Sequence, residues 1–325
     1  MSTEAAIPSH NRLQLFPVAF FSSVMGLAGL AMALQQGEAI LGLPRGGGQI
    51  VTVVSLIVFA LLAVVYLLKL MRYPEAVMQE WRHPVKMSFG ATITVSLLLL
   101  GGATLGLWPK LSYALWLAGA ALHLLVTLYV LNAWIYKPGF EITHISPAWF
   151  IPVVGNIVAP IAGVTHAGPE TGWFFFSIGL VFWLVLFTII VYRMIFHNPL
   201  PDRLLPTLFI LLAPPAAGFI AYLKLRGVLD GFGRILYHTA VFIALLLALQ
   251  LPRFARLKFF LSWWAYSFPL AALTIATLLM YRATGVAFFK DVSWLLLALL
   301  CAVIALLLAL TARAIARNEI CTPEQ

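Results

Sequence analysis

Charge is scarce in this chain. Lys, Arg, Asp and Glu make up 10% of its 325 residues and hydrophobic residues 62%, whereas a soluble domain is about 25% charged and 45–50% apolar. An ordinary soluble domain is thereby excluded. Cysteine is scarcer still. The two present, Cys301 in an apolar run and Cys321 near the end, have no spacing that suggests a disulfide framework or a thiolate metal site. Seven histidines are scattered, with no HxxxH pair, which argues against the histidine clusters of a di-metal membrane enzyme. There is no Ser-His-Asp arrangement of plausible spacing. Gly46-Gly47-Gly48 lacks a following Lys-Ser/Thr, so it reads as a flexible turn rather than a phosphate cradle. The chain is expected to be neither an enzyme nor the holder of a metal or cofactor.

Lys and Arg outnumber Asp and Glu 20 to 11, for a net charge of +9. The basic residues fall between apolar runs, the loop asymmetry of a membrane protein, and no nucleic-acid partner is expected. The apolar runs fill the chain. A hydrocarbon core about 30 Å thick needs roughly 20 apolar residues per helix. On that measure ten spans are predicted, at 16–34, 50–71, 86–107, 111–135, 148–166, 173–196, 204–224, 235–251, 260–280 and 292–313. The fold class expected is an all-α integral membrane protein: a tail over 1–15, a ten-helix domain over 16–313 and a tail over 314–325. The first 15 residues lack the charged-then-apolar order of a signal peptide, so the first span is expected to be retained. Ten spans place both termini on one side. The loops on that side carry most of the Lys and Arg, which predicts cytoplasmic termini. The loop 224–234, with Lys224, Arg226 and Arg234, runs against the trend.

Odd and even spans differ. The odd ones carry Pro17, Pro84, Pro152, Pro160, Pro206, Pro214, Pro215 and Pro269 inside or at the entrance, and the even ones carry none. Glycine splits the same way: Gly26, Gly29, Gly90, Gly101, Gly102, Gly155, Gly163 and Gly218 against Gly119 and Gly179. Kinked helices with small residues approach one another closely. The alternation therefore predicts five helical hairpins, with the odd helices inside and the even ones facing lipid. The membrane interior is expected to be free of Asp, Glu, Lys and Arg, which are costly at that depth and mark ion relays when present. A neutral inner surface flanked by basic loops favours an anion or a neutral solute, passively conducted.

Several stretches resemble one family in order along the chain. They are Gly26-Leu27-Ala28-Gly29-Leu30, His83-Pro84-Val85-Lys86, Thr143-His144 followed by Val153-Val154-Gly155-Asn156, Leu212-Ala213-Pro214 with Ala221-Tyr222, and Trp263-Trp264-Ala265-Tyr266-Ser267-Phe268-Pro269. Together they resemble the tellurite-resistance/dicarboxylate transporter family, which includes bacterial TehA-like proteins and plant guard-cell slow anion channels. The resemblance implies five hairpins in a quasi-fivefold arrangement, odd helices lining a central pore, a homotrimer with one pore per protomer, and the bacterial cytoplasmic (inner) membrane. It implies that Phe268 occludes the pore. The partners implied are small inorganic anions or organic acid anions. The shared motifs do not separate a channel for chloride or nitrate from a carrier of C4-dicarboxylates, tellurite or sulfite.

Around Phe268, Pro269 cannot donate to the Ala265 carbonyl, so a kink that aims the ring across the axis is expected. Trp263 and Trp264 are read as interface anchors. Thr274 and Thr277 either offer hydroxyls to the pore or bond back to carbonyls four residues earlier. Asn156 is expected to cross-link helices beside the pore, and His123 to be a hydrogen-bonded packing residue. Gly26, Gly29, Pro152, Gly155, Asn156, Pro160, Pro214, Pro215, Gly218, Pro269 and Thr274 are the candidate lining or kink positions.

Overall fold

A computed structural model describes residues 11–322, and every regular element in it is helical. The α-helices are α1 Phe21–Ile40, α2 Gly47–Arg72, α3 Pro74–Arg82, α4 Lys86–Thr104, α5 Pro109–Tyr136, α6 Phe150–Val154, α7 Pro160–Phe196, α8 Ala213–Arg226, α9 Gly231–Ala248, α10 Leu251–Phe254, α11 Ser267–Thr284 and α12 Ala287–Ala316. Short 3₁₀ stretches precede several of them. Among the described residues nine helical stretches are long and apolar enough to cross a membrane, and Pro147–Val158 is a shorter apolar one. The chain is a multi-pass membrane protein. Of the tail 1–15 only the last residues, and of the tail 314–325 all but the last three, fall within the described part.

The predicted boundary between the fifth and sixth spans becomes a single residue. α7 joins the end of the predicted fifth span to the sixth, interrupted at Gly168, whose φ of 81° and ψ of 172° are not helical. Glycine adopts that positive φ without a Cβ penalty, and Pro169 holds the residue before it at an extended ψ.

Burial separates the helices into two sets. Within the most apolar 18 residues of Val18–Ile40, Lys86–Thr104, Leu205–Arg226 and Leu261–Thr284, 78–83% are buried. The share is 11% in α2, 33% in α5 and α9, and 22% in α12. The second set carries the large exposed apolar side chains, such as Leu61, Leu125, Leu245 and Leu295, the surface that lipid tails cover. Each buried helix packs on the exposed helix that follows it. The buried ones also touch in sequence: α1 on α4, α4 on α6, Gly155–Val158 on α8, α8 on α11, and α11 back on α1.

The prolines do not kink continuous helices. Pro152 is the third residue of α6, Pro160 the first of α7, Pro214 and Pro215 the second and third of α8, and Pro269 the third of α11. Each lies in a first turn, where backbone N–H groups have no intrahelical partner and a missing donor costs nothing. Three of these starts follow 3₁₀ stretches of 4, 8 and 6 residues, Gly155–Val158, Leu205–Leu212 and Leu261–Tyr266. A 3₁₀ run beyond 3–4 residues is uncommon and often marks a hinge.

The expectation of a charge-free membrane interior is corrected. Lys69, near the end of α2, is 1% exposed. Its ammonium donates to the Phe16 carbonyl at 2.7 Å and pairs with Glu80 of α3 at 2.8 Å. Tyr66 donates to the same carboxylate. Arg193, near the end of α7, is also buried, its Nε donating to the Ile142 carbonyl. Both lie within a turn of the helix end, where a long side chain reaches polar loop groups. Trp264 is not an interface anchor either. It is fully buried, and its indole N–H donates to Thr311 of α12.

Candidate functional site

Two cavities of about 40 Å³ each lie at the centre of the buried helices. One is bordered by Met25, Val95, residues of the Phe150–Val158 stretch including Gly155, and Ile210, Ala213, Pro214, Ala217 and Phe268. The other is bordered by Ser22, Met25, Phe89, Thr92, Ile151, Ile210, Ala213, Ser262, Trp264, Ala265, Phe268 and Pro269. Every buried stretch of the chain contributes to both. The second cavity takes residues that come earlier in each stretch, so it lies nearer their N-terminal ends. Five residues border both cavities: Met25, Ile151, Ile210, Ala213 and Phe268.

Phe268 is the largest of the five and sits between the two spaces. Its place is set by the switch from 3₁₀ to α geometry at Tyr266–Ser267. Across from it, α1 presents bare backbone. A Cβ on Gly29 would stand 2.8 Å from the Ala271 methyl and 3.6 Å from Cδ2 of Phe268, and one on Gly26 would stand 2.6 Å from the Ser267 Cβ. The two glycines thus let α11 lie directly on α1, with the Phe268 ring beside Gly29.

The first cavity has no ionisable side chain on its wall. In the second, the hydroxyls of Ser22, Thr92 and Ser262 already donate to the carbonyls of Ala19, Phe89 and Arg203. A space of this size holds only a few waters, and an apolar one stays dry.

Of the candidate residues, Gly155, Pro214, Phe268 and Pro269 border the cavities. Gly26, Gly29, Pro152, Asn156, Pro160, Pro215, Gly218 and Thr274 stand behind that wall. Asn156 Nδ2 donates to Thr127 of α5 at 2.8 Å and to the Val153 carbonyl. The Thr127 hydroxyl in turn shares its proton between the Pro152 carbonyl at 2.7 Å, close to the join of α6 with its 3₁₀ stretch, and the His123 carbonyl of its own helix at 2.8 Å. Thr274 and Thr277 bond back to the Leu270 and Leu273 carbonyls, each at 2.8 Å. Met25, Val95, Ile151, Ile210 and Ala213 were missed by sequence reasoning. They are ordinary apolar residues, and nothing in their identity separates an inward position from a packed one.

A match to known proteins fits this arrangement. Residues 15–312 match the SLAC1 family, described as voltage-dependent anion channels. The chain belongs to that family. It is a family of channels and transporters rather than of enzymes. The chain is 28% identical over 285 residues to the S-type anion channel SLAH3 of Arabidopsis thaliana, covering 85% of this chain and 45% of that protein. It is 27% identical over 284 residues to a tellurite resistance protein TehA homolog of Haemophilus influenzae, covering 85% of each. An uncharacterized transporter of Methanocaldococcus jannaschii is 27% identical over 294 residues, which are 83% of this chain and 86% of that one. The chain spans about half the length of the Arabidopsis relatives SLAH3 and SLAH2.

Proposed function

We propose that this SLAC1-family member is a gated anion channel that passes small monovalent anions such as chloride and nitrate. The observation that carries the reading is Phe268, a single ring between two apolar cavities bordered by every buried stretch. In this reading 147–167 and 169–196 are separate spans. The ten spans form five hairpins in a quasi-fivefold arrangement, with both termini cytoplasmic. The protein sits in the cytoplasmic membrane as a homotrimer with one pore per protomer. Turning the ring aside joins the two cavities. The neutral wall then favours ions that shed water easily, and the basic loops concentrate anions at the mouth.

Similarity to a tellurite resistance protein supports a second reading, a carrier of C4-dicarboxylates, tellurite or sulfite. A dicarboxylate site would normally want a Lys or Arg at the cavity, and none borders either one. Planar-bilayer currents in chloride, nitrate and malate, for wild type and Phe268→Ala, separate the two. A silent wild type beside a conducting, anion-selective variant is the expected result. No current in either, together with proton-dependent malate uptake, would replace the channel with the carrier.

A further inference from the structure

We propose that His123 is a proton-binding site coupled to the first cavity, so that a proton on its ring and an anion beside Gly155 favour each other. The proposal rests on the channel reading above and assigns a regulatory chemistry to that path.

His123 lies on α5, one of the exposed helices, yet it is fully buried on the face turned to α4 and α6. Its Nδ1 is 2.7 Å from the Thr94 hydroxyl. That hydroxyl has one proton, and the Ala91 carbonyl lies 2.9 Å away to take it. In the tautomer in which that proton goes to Ala91, Nδ1–H donates to Thr94 and Nε2 is a bare acceptor. Among the described residues Nε2 has no partner. A buried polar atom without one calls for an explanation.

The ring edge points at the cavity wall. A Cβ on Gly155 would stand 2.8 Å from both Cε1 and Nε2 of His123 and 3.0 Å from Val95 Cγ2. Gly155 and Val95 both border the first cavity. The imidazole thus fills the place of a Gly155 side chain, and bare glycine backbone is what lies between Nε2 and the space.

Among the described residues no acidic side chain is paired with the ring. The polar side chain bonded to the ring is Thr94. On the packed elements, α4 carries Lys86 as its first residue, and α5 carries Lys110 near its start with Tyr113, Tyr129 and Tyr136 exposed. Pro147–Val158 carries no ionisable residue. α7 carries His166 and Glu170 towards one end, Tyr192 and Arg193 towards the other. An imidazolium at His123 therefore lacks an anionic partner until an anion enters the cavity. The anion in turn finds a positive charge one residue behind an otherwise neutral wall. Coupling of this kind is reciprocal.

The test uses full-length protein in nanodiscs, wild type and Phe268→Ala, with ¹⁵N-labelled histidine rings. The His123 signal is assigned by its loss in His123→Gln. Titration is run in nitrate and in gluconate at equal ionic strength. The expected result is half-protonation of His123 at a higher pH in nitrate. Liposome nitrate flux through Phe268→Ala is expected to rise on the order of tenfold on acidification, and Phe268→Ala/His123→Gln to lose that rise. An identical midpoint in the two salts overturns the proposal, as does acid stimulation that survives His123→Gln. Absence of flux through Phe268→Ala counts against the channel reading, and the ring titration then decides the coupling by itself.

Discussion

The helices that border the cavities and the helices that surround them solve opposite problems with the same apolar alphabet. α2, α5, α9 and α12 are long, unbroken and largely exposed. They close every internal backbone hydrogen bond within themselves and need nothing else to lie against lipid. The inner stretches are enclosed by protein, and three of them join 3₁₀ runs to α-helices that carry proline in their first turn, at Gly155–Val158, Leu205–Leu212 and Leu261–Tyr266. Their broken geometry is tolerated because neighbouring protein supplies the missing partners, as Thr127 does for the Pro152 carbonyl. Irregular backbone at membrane depth needs such an enclosure. The difference places the irregular backbone inside the protein and the regular, exposed helices outside it.

That contrast can be broken most sharply at its exception. Lys69 belongs to an outer helix yet is buried against Glu80 and the Phe16 carbonyl. Lys69→Met leaves the Glu80 carboxylate without its countercharge, with only the Tyr66 hydroxyl bonded to it, and is expected to cost about 3 kcal/mol, measured by reversible SDS unfolding in mixed micelles. A loss no larger than that of a lipid-facing change would show that the pair is not a structural tie.

Gly26→Val comes next. Its added atoms meet Ser267 at the crossing of α1 and α11, for roughly 2 kcal/mol of strain. Thermal unfolding in detergent should detect it, and Phe268 should shift with α11. Full stability would mean that the two helices do not cross at the distance described.

Thr127→Val removes the bridge between α5 and the broken fifth stretch, for about 1–2 kcal/mol. Hydrogen exchange at 152–158 is the readout, and faster exchange confined to that stretch is expected. Uniform exchange across the protein would deny the bridge a local role.

At the bottom of the scale, Leu61→Ala on the exposed face of α2 should stay within about 0.5 kcal/mol. A large loss there would mean that α2 is packed against protein, as in a subunit contact, and not against lipid.

Much of the fold was legible because the membrane imposes it. The lack of charge and the length of the apolar runs lead to spanning helices by a direct energetic argument. The Pro and Gly alternation marked which helices are enclosed. The prolines misled in one respect. Read along a linear chain, Pro269 is a breaker inside a helix, yet in the fold it opens one, because 3₁₀ geometry precedes it. Hydroxyl bonds of Thr274 and Thr277 were one of two open alternatives, and the carbonyls of their own turn take them. Trp264 was placed at an interface by its type, but Thr311, 47 residues away, gives its N–H a buried partner.

The sequence by itself determined the solvent, the class of fold and the two kinds of helix, since each follows from local composition and from the cost of unsatisfied backbone in lipid. It also singled out Phe268-Pro269 through an ordered set of motifs. Only the tertiary structure decided which apolar side chains border the cavities, that Phe268 and four other residues border both, and that His123 Nε2 lies unpartnered behind Gly155. Those outcomes depend on how five stretches far apart in the chain rotate against one another. Composition and spacing do not encode that rotation, because a leucine or an isoleucine satisfies a cavity wall, a helix interface and a lipid tail equally well.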